Sequence, residues 1–213
     1  MSTRVLVLED DPFTRLSVVG AMKHFGFDVV VEEDVPGRAA ERARVAKPDV
    51  AILDLHLGKG ATGADVAKEL RKQNSRIGIV MLTSYDDPRL LAKSLPALPD
   101  GTVYLTKGKV ENFRELRSAV EEALAPEKRQ QGRVQNPVVS ALSDSQVETM
   151  RLVAEGYSNA EIARRRNIRE RSVEVTIARI AKAVGIEQNP AINQRVQLAK
   201  FYYRSAGAKE TGE

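Results

Sequence analysis

Not one of the 213 residues is cysteine, and only two, His24 and His56, are histidine. Disulfides, thiolate-held zinc and a cysteine nucleophile are therefore excluded, and no histidine cluster for zinc or haem can be built. Long apolar runs are also missing, since no stretch approaches the roughly 18 residues that a membrane helix needs. The opening Met1-Ser2-Thr3-Arg4 lacks the length and the cleavage-site character of a secretory signal. These absences predict a cytoplasmic chain with no membrane partner. No Gly-x-x-x-x-Gly-Lys-Ser/Thr loop is present either; Gly58-Lys59-Gly60 is too short and has no hydroxyl, which argues against a nucleotide-driven ATPase.

What is present suits a folded protein: 42% of the residues are hydrophobic and 29% charged, enough apolar material to fill a core. The net charge of +4 is unevenly divided. Residues 1–125 carry 18 basic and 19 acidic side chains, whereas residues 126–213 carry 15 and 10. A positive field confined to the C-terminal part favours a polyanionic partner such as nucleic acid.

Val5-Leu6-Val7-Leu8 is a short uninterrupted apolar run, the pattern of a strand covered on both faces. Similar blocks recur at residues 28–31, 50–53, 79–82 and 102–105. Segments of helical period lie between and after them, at 14–25, 37–46, 63–73, 88–95 and 112–124. Strands alternating with helices predict an open α/β sheet, in which reactive groups gather at the C-terminal ends of the strands. Pro126 then ends the fifth helix, and a polar stretch containing Gly132 and Pro137 reads as a linker. Beyond it the period is purely helical, over 144–155, 159–166, 170–184 and 191–204, before a polar tail. The predicted domains are 1–125, a linker at 126–140, a helical domain at 141–205 and a tail at 206–213.

Glu9, Asp10 and Asp11 follow the first strand, Asp54 the third, Thr83 and Ser84 the fourth, and Lys107 the fifth. In the expected sheet they meet at one edge. Crowded carboxylates repel, and a hard divalent cation with oxygen ligands relieves them. A lysine and a hydroxyl beside them supply the donors that a phosphoryl group on a carboxylate would need. This part of the chain resembles the receiver domain of two-component response regulators, which implies a flavodoxin-like (βα)5 fold. The resemblance implies Mg²⁺ bound by Glu9, Asp10 and Asp54, with Asp54 as phosphoacceptor. It also implies Thr83 and Lys107 as supports of the phosphoryl group and Tyr104 as the aromatic switch. Two surfaces depart from the family pattern: the loop at residues 55–63 lacks a usual proline and is one residue longer, and residues 95–101 replace a small Ala-Gly-Ala turn.

In the helical part, Ser143 followed three residues later by Gln146 marks a helix start, and Gly156 a helix end. Ser158 caps a short helix from Asn159, and a turn near Asn167-Ile168 precedes a longer one that buries Val173, Ile177 and Ile180. A short helix, a turn and a longer helix with a basic face is the geometry that lays one helix in the major groove. Leu142-Ser143, Gly156-Tyr157-Ser158-Asn159-Ala160-Glu161-Ile162-Ala163, Ser172-Val173 and Val184-Gly185-Ile186 resemble the LuxR/NarL-type helix-turn-helix DNA-binding domain. Arg171, Ser172, Glu174, Val175, Thr176, Arg179 and Lys182 are the candidate groove contacts, with Ser158 and Asn159 near phosphate. Arg166 stands where the family usually has an apolar residue, so it must pair or snorkel. Ile192, Val196, Ala199 and Tyr203 give the last helix an apolar face, for docking on its own domain or for a homodimer.

Together the resemblances imply a response regulator phosphorylated on Asp54 by a sensor histidine kinase. They also imply control of transcription through double-stranded promoter DNA, with a homodimer and RNA polymerase as further partners. No enzymatic turnover is expected beyond self-phosphorylation from small donors and slow autodephosphorylation. Two rival readings are a regulator of the same architecture that ignores phosphate and a Mg²⁺-dependent phosphatase, the latter needing a substrate pocket and cap for which about 125 residues leave little room.

Overall fold

The computed structural model describes the chain except for residues 1, 59, 92–94, 126–135, 188, 190 and 209–213. Most of the expected linker thus lies outside the described residues. Two compact units emerge: Met1–Thr83 with Leu95–Gln135, and Ser84–Ser94 with Asn136–Glu213.

The first unit runs β1 (Arg4–Leu8), α1 (Pro12–His24), β2 (Asp28–Glu33), α2 (Pro36–Ala46), β3 (Val50–Leu53), α3 (Gly63–Gln73), β4 (Gly78–Thr83), β5 (Thr102–Thr106) and α4 (Phe113–Leu124). All strand pairs are parallel, in the order β2-β1-β3-β4-β5. The order reverses between β1 and β3, so the C-terminal ends of these central strands open onto the crevice where such sheets hold their ligands. The apolar runs are buried on both faces because alternate side chains point oppositely. Val5, Val7, Val50, Ile52, Val80 and Leu82 pack with Val18, Val19 and Met22 of α1 and Leu116, Val120 and Ala123 of α4. Leu6, Leu8, Leu53 and Met81 are equally buried on the opposite face, where α2 and α3 pack on each other.

Helix boundaries follow local chemistry. Asp11 caps α1 by accepting from Thr14 N at 2.7 Å, so the third acid after β1 is a helix cap. The helix expected over 88–95 is, within the described residues, one 3₁₀ turn at Pro88–Leu90, capped by Asp87. Leu90 is fully buried among apolar residues of the second unit, a destination that local periodicity cannot encode.

The second unit continues with α5 (Pro137–Ser140), α6 (Asp144–Ala154), α7 (Asn159–Arg166), α8 (Glu170–Ala183) and α9 (Gln194–Ser205). The Ser143/Gln146 capping box starts α6, and Ser158 caps α7. Between them Gly156 takes a φ of 88°, and Asn167 closes α7 at 52°, both in the left-handed region that such helix ends use. Arg166 finds partners: its guanidinium donates to the Thr149 and Ser145 hydroxyls and faces the Glu148 carboxylate.

α9 begins at Gln194, three residues later than the pattern suggests, behind an Asn193 cap. It docks through Leu198 and Tyr202, so the face proposed from sequence is not the buried one. Ile192, Val196 and Tyr203 are about half exposed and Ala199 is partly covered. The Tyr202 hydroxyl donates to Leu90 O at 2.7 Å, and burial raises its pKa to about 12. Tyr202→Phe should cost about 1 kcal/mol of stability in urea. A raised pKa favours the fold at pH values below the ordinary tyrosine range and loses that contribution as pH climbs through about 12. The parent-minus-variant difference should therefore shrink at high alkalinity; a difference that is absent at neutral pH contradicts the role given to this hydroxyl.

Candidate phosphoryl-acceptor site and helix-turn-helix face

The parallel ladders bring the expected site residues together in the first unit. Asp54 N donates to Leu8 O at 2.9 Å and Glu9 N to Glu33 O at 3.1 Å, fixing both acids as extensions of the sheet. Glu9 and Asp54 are buried, and Asp10 is exposed. One carboxylate oxygen from each of the three lies within 4.8 Å of the others, a spacing suited to one hard cation. Lys107 Nζ sits 2.7 Å from both Asp54 Oδ2 and Glu9 Oε2.

The electrostatics follow from this crowding. Burial, and then the neighbouring Asp54 charge, push Glu9 up to about 7 against the pull of Lys107. Burial works against the Lys107 charge, but Asp54 and Glu9 prevail and hold its pKa above the ordinary lysine value. Lys107 thus faces two buried acids, and one further positive charge fits the donor set. Thr83 ends β4 opposite Thr106 in the ladder, with Tyr104 opposite Met81 two steps earlier. Both Thr83 and Tyr104 are buried.

The long loop after β3 is well anchored. Leu55 and Leu57 are buried, His56 is exposed, and its N–H donates to Asp54 Oδ1 at 3.3 Å. Gly63 N returns to Leu55 O at 3.0 Å, which brings the start of α3 hard against the Asp54 carbonyl.

In the second unit, α8 buries Val173, Ile177 and Ile180 and exposes Arg171, Ser172, Glu174, Val175, Arg179 and Lys182. Arg171 pairs with Glu174 at 3.0 Å. Thr176 is partly covered and donates back to Ser172 O. Val175, Arg179 and Lys182 line an open groove of about 640 Å³ together with Ala178, Gly185, Ile186, the acidic Glu187 and Gln194. Ser158 is exposed, whereas the Asn159 side chain accepts from Arg195, which also donates to Tyr157 O. Arg165 stacks 3.9 Å above the Tyr157 ring, and Glu161 takes hydrogen bonds from Arg164 and Arg165 that hold its carboxyl at about 2. Sequence reasoning missed Arg195 as the residue tying α9 to the start of α7; an arginine on a late helix carries no local signal of its partner.

Comparison with known proteins agrees with this geometry. Residues 5–121 match the response regulator receiver domain, and residues 140–193 match the bacterial regulatory proteins of the luxR family. The response regulator protein VraR of Staphylococcus saprophyticus is 25% identical over 194 residues, covering 88% of this chain and 92% of VraR. VraR of Staphylococcus aureus strain MW2 gives the same identity and coverage. Among solved structures, RcsB dimers on two parallel DNAs superpose with a TM-score of 0.62 at 19% identity, covering 96% of this chain and 99% of that one. RcsB from Salmonella enterica serovar Typhimurium, bound to a promoter with a phosphomimetic, gives 0.58 at 18%, with coverage of 95% and 99%. The chain belongs to the response regulator receiver family, here joined to a helix-turn-helix unit of the luxR family.

Proposed function

We propose that the chain is a phosphorylation-gated transcription factor, with Asp54 as phosphoacceptor and α8 as the DNA-reading helix. The observation that carries the first half is the Lys107 ammonium held 2.7 Å from Asp54 Oδ2 at a strand-end cluster of three acids. An Asp54 oxygen attacks phosphorus, the bond to the donor's leaving group breaks, and Asp54 keeps the phosphoryl group as an acyl phosphate. Lys107 and the Thr83 hydroxyl then meet the new phosphoryl oxygens, and Tyr104 fills the space behind Thr83. Glu9, Asp10 and Asp54 are the residues that would hold Mg²⁺, which neutralises charge developing on the transferred group. The natural donor is assigned to a sensor histidine kinase.

The DNA half is supported by the exposed basic side of α8, the surplus positive charge after residue 125 and the luxR-family match. The similar RcsB chains are described bound to DNA, one of them as dimers, and we assign promoter DNA and a homodimer to this chain. On α9 and just before it, Ile192, Val196 and Tyr203 are apolar side chains exposed for such pairing. The domain limits 1–125 and 141–205, a cytoplasmic location and contact with RNA polymerase complete the reading; among the described residues no helix is long and apolar enough to cross a membrane.

Metal dependence tests the chemical half. With a small acyl-phosphate donor, the protein should gain one phosphoryl group in Mg²⁺ and none in excess chelator. Equal labelling in both conditions contradicts the assigned site.

A further inference from the structure

We infer that Glu174 is a specificity-determining residue of the DNA-reading face: its carboxylate accepts a hydrogen bond from the amino group of a cytosine in the major groove, beside a guanine held by Arg171. The inference rests on the reading of α8 as the helix that meets DNA, and it assigns to that face a base preference rather than charge alone.

α8 carries two acids, Glu170 and Glu174. Glu170 lies in the first turn, where the positive end of the helix dipole favours an acid. Glu174 lies beyond that turn, on the exposed side with Arg171, Val175, Ala178, Arg179 and Lys182. An acid in that place repels a polyanion, and the packing of the helix does not ask for it, because the buried side is apolar.

The charged partner of Glu174 is Arg171, whose Nη1 donates to Glu174 Oε2 at 3.0 Å. The arginine precedes the acid, which is the weaker order for a helix pair, and the two side chains are 85% and 45% exposed. Such a contact adds little stability. What it does is orient both groups. Arg171 keeps Nε and Nη2 as a pair of parallel donors that match guanine O6 and N7, and Glu174 keeps Oε1 as a pure acceptor.

In the major groove the amino groups belong to cytosine and adenine, whereas guanine and thymine present a carboxylate with further acceptors. The adenine amino group stands beside the N7 acceptor of the same base, which repels a carboxylate. Cytosine N4 has no such neighbour on its own base, so cytosine is the match. Three residues of helix rise about 4.5 Å, close to one base step of about 3.4 Å, which puts the two contacts on the same or adjacent base pairs. The acid also works by exclusion: on a duplex without the cytosine it faces acceptors and phosphates and weakens binding.

Selection from a random duplex pool tests this, with the full chain in Mg²⁺ and acetyl phosphate, followed by titration on the selected duplex and on an unrelated one. The parent should select a cytosine, with guanine in the same or the adjacent pair. Glu174→Ala should lose about tenfold in affinity for the selected duplex, bind the unrelated duplex more tightly, and select pools with no preference at the cytosine position. Glu174→Gln, whose amide both donates and accepts, should move the preference there toward adenine. A merely structural role would move both duplexes alike. Tighter binding of both duplexes with the cytosine preference intact overturns the inference, as does an equal loss on both, or a parent pool in which the position that responds to Glu174 is not cytosine. The double variant Arg171→Ala with Arg179→Ala separates the two readings. If it loses binding while the Glu174 variants keep the parent's preference, the inference alone falls; if all of these variants bind as the parent does, α8 is not the DNA-reading helix and both fall.

Discussion

Replacing Arg171 and Arg179 together with alanine should cost roughly a hundredfold or more in affinity for a duplex that the parent selects from a random pool. Both side chains stand on the exposed face of α8, away from the buried Val173, Ile177 and Ile180. The helix therefore keeps its packing, and the loss is one of contact rather than of folding. If both arginines meet phosphate, the slope of log affinity against log salt should flatten by about 2, close to one unit for each phosphate contact removed. If one reads a guanine edge, the slope should change by about 1 and discrimination at one base position should relax instead. Unchanged titrations with an unchanged helical spectrum would place the DNA surface elsewhere.

The second large effect is expected at Gly63. A methyl group there would lie 1.9 Å from the Asp54 carbonyl oxygen and 2.8 Å from its carbon, both backbone atoms that cannot rotate away. Gly63→Ala should cost about 3 kcal/mol of stability and displace Asp54 from Lys107, so that labelling falls further than the loss of folded protein explains. Gly58 is a useful contrast. Its φ of 74° strains any side chain, yet nothing lies within 4 Å of its would-be Cβ, so Gly58→Ala should cost only about 1 kcal/mol. Equal denaturation midpoints for the two variants would contradict the close approach at Gly63.

These two sites differ in how far the sequence exposes them. The acids, Thr83 and Lys107 can be gathered from the sequence because parallel strands end at one edge, and uninterrupted apolar runs mark such strands. The caps at Ser143 and Ser158 are equally legible, being local hydrogen-bond patterns. Asp11, in contrast, reads as a member of the acidic cluster until its bond to Thr14 N shows it to be a cap. Residues 88–95 carry a helical period, but Leu90 and Arg89 gain more from partners some fifty residues away than a surface helix would give them. On α9 two apolar stripes compete. Leu198 and Tyr202 are as correctly spaced as Val196, Ala199 and Tyr203, and only tertiary packing decides between them. Arg166 is legible as a side chain needing partners, while Thr149, Ser145 and Glu148 are not legible as those partners.

The central claim is that Asp54 accepts a phosphoryl group, and the most direct measurement is the intact mass of the parent and of Asp54→Asn after incubation with Mg²⁺ and acetyl phosphate. The account predicts a gain of one phosphoryl group, about 80 daltons, in the parent alone. The same stoichiometric gain in the asparagine variant would contradict it.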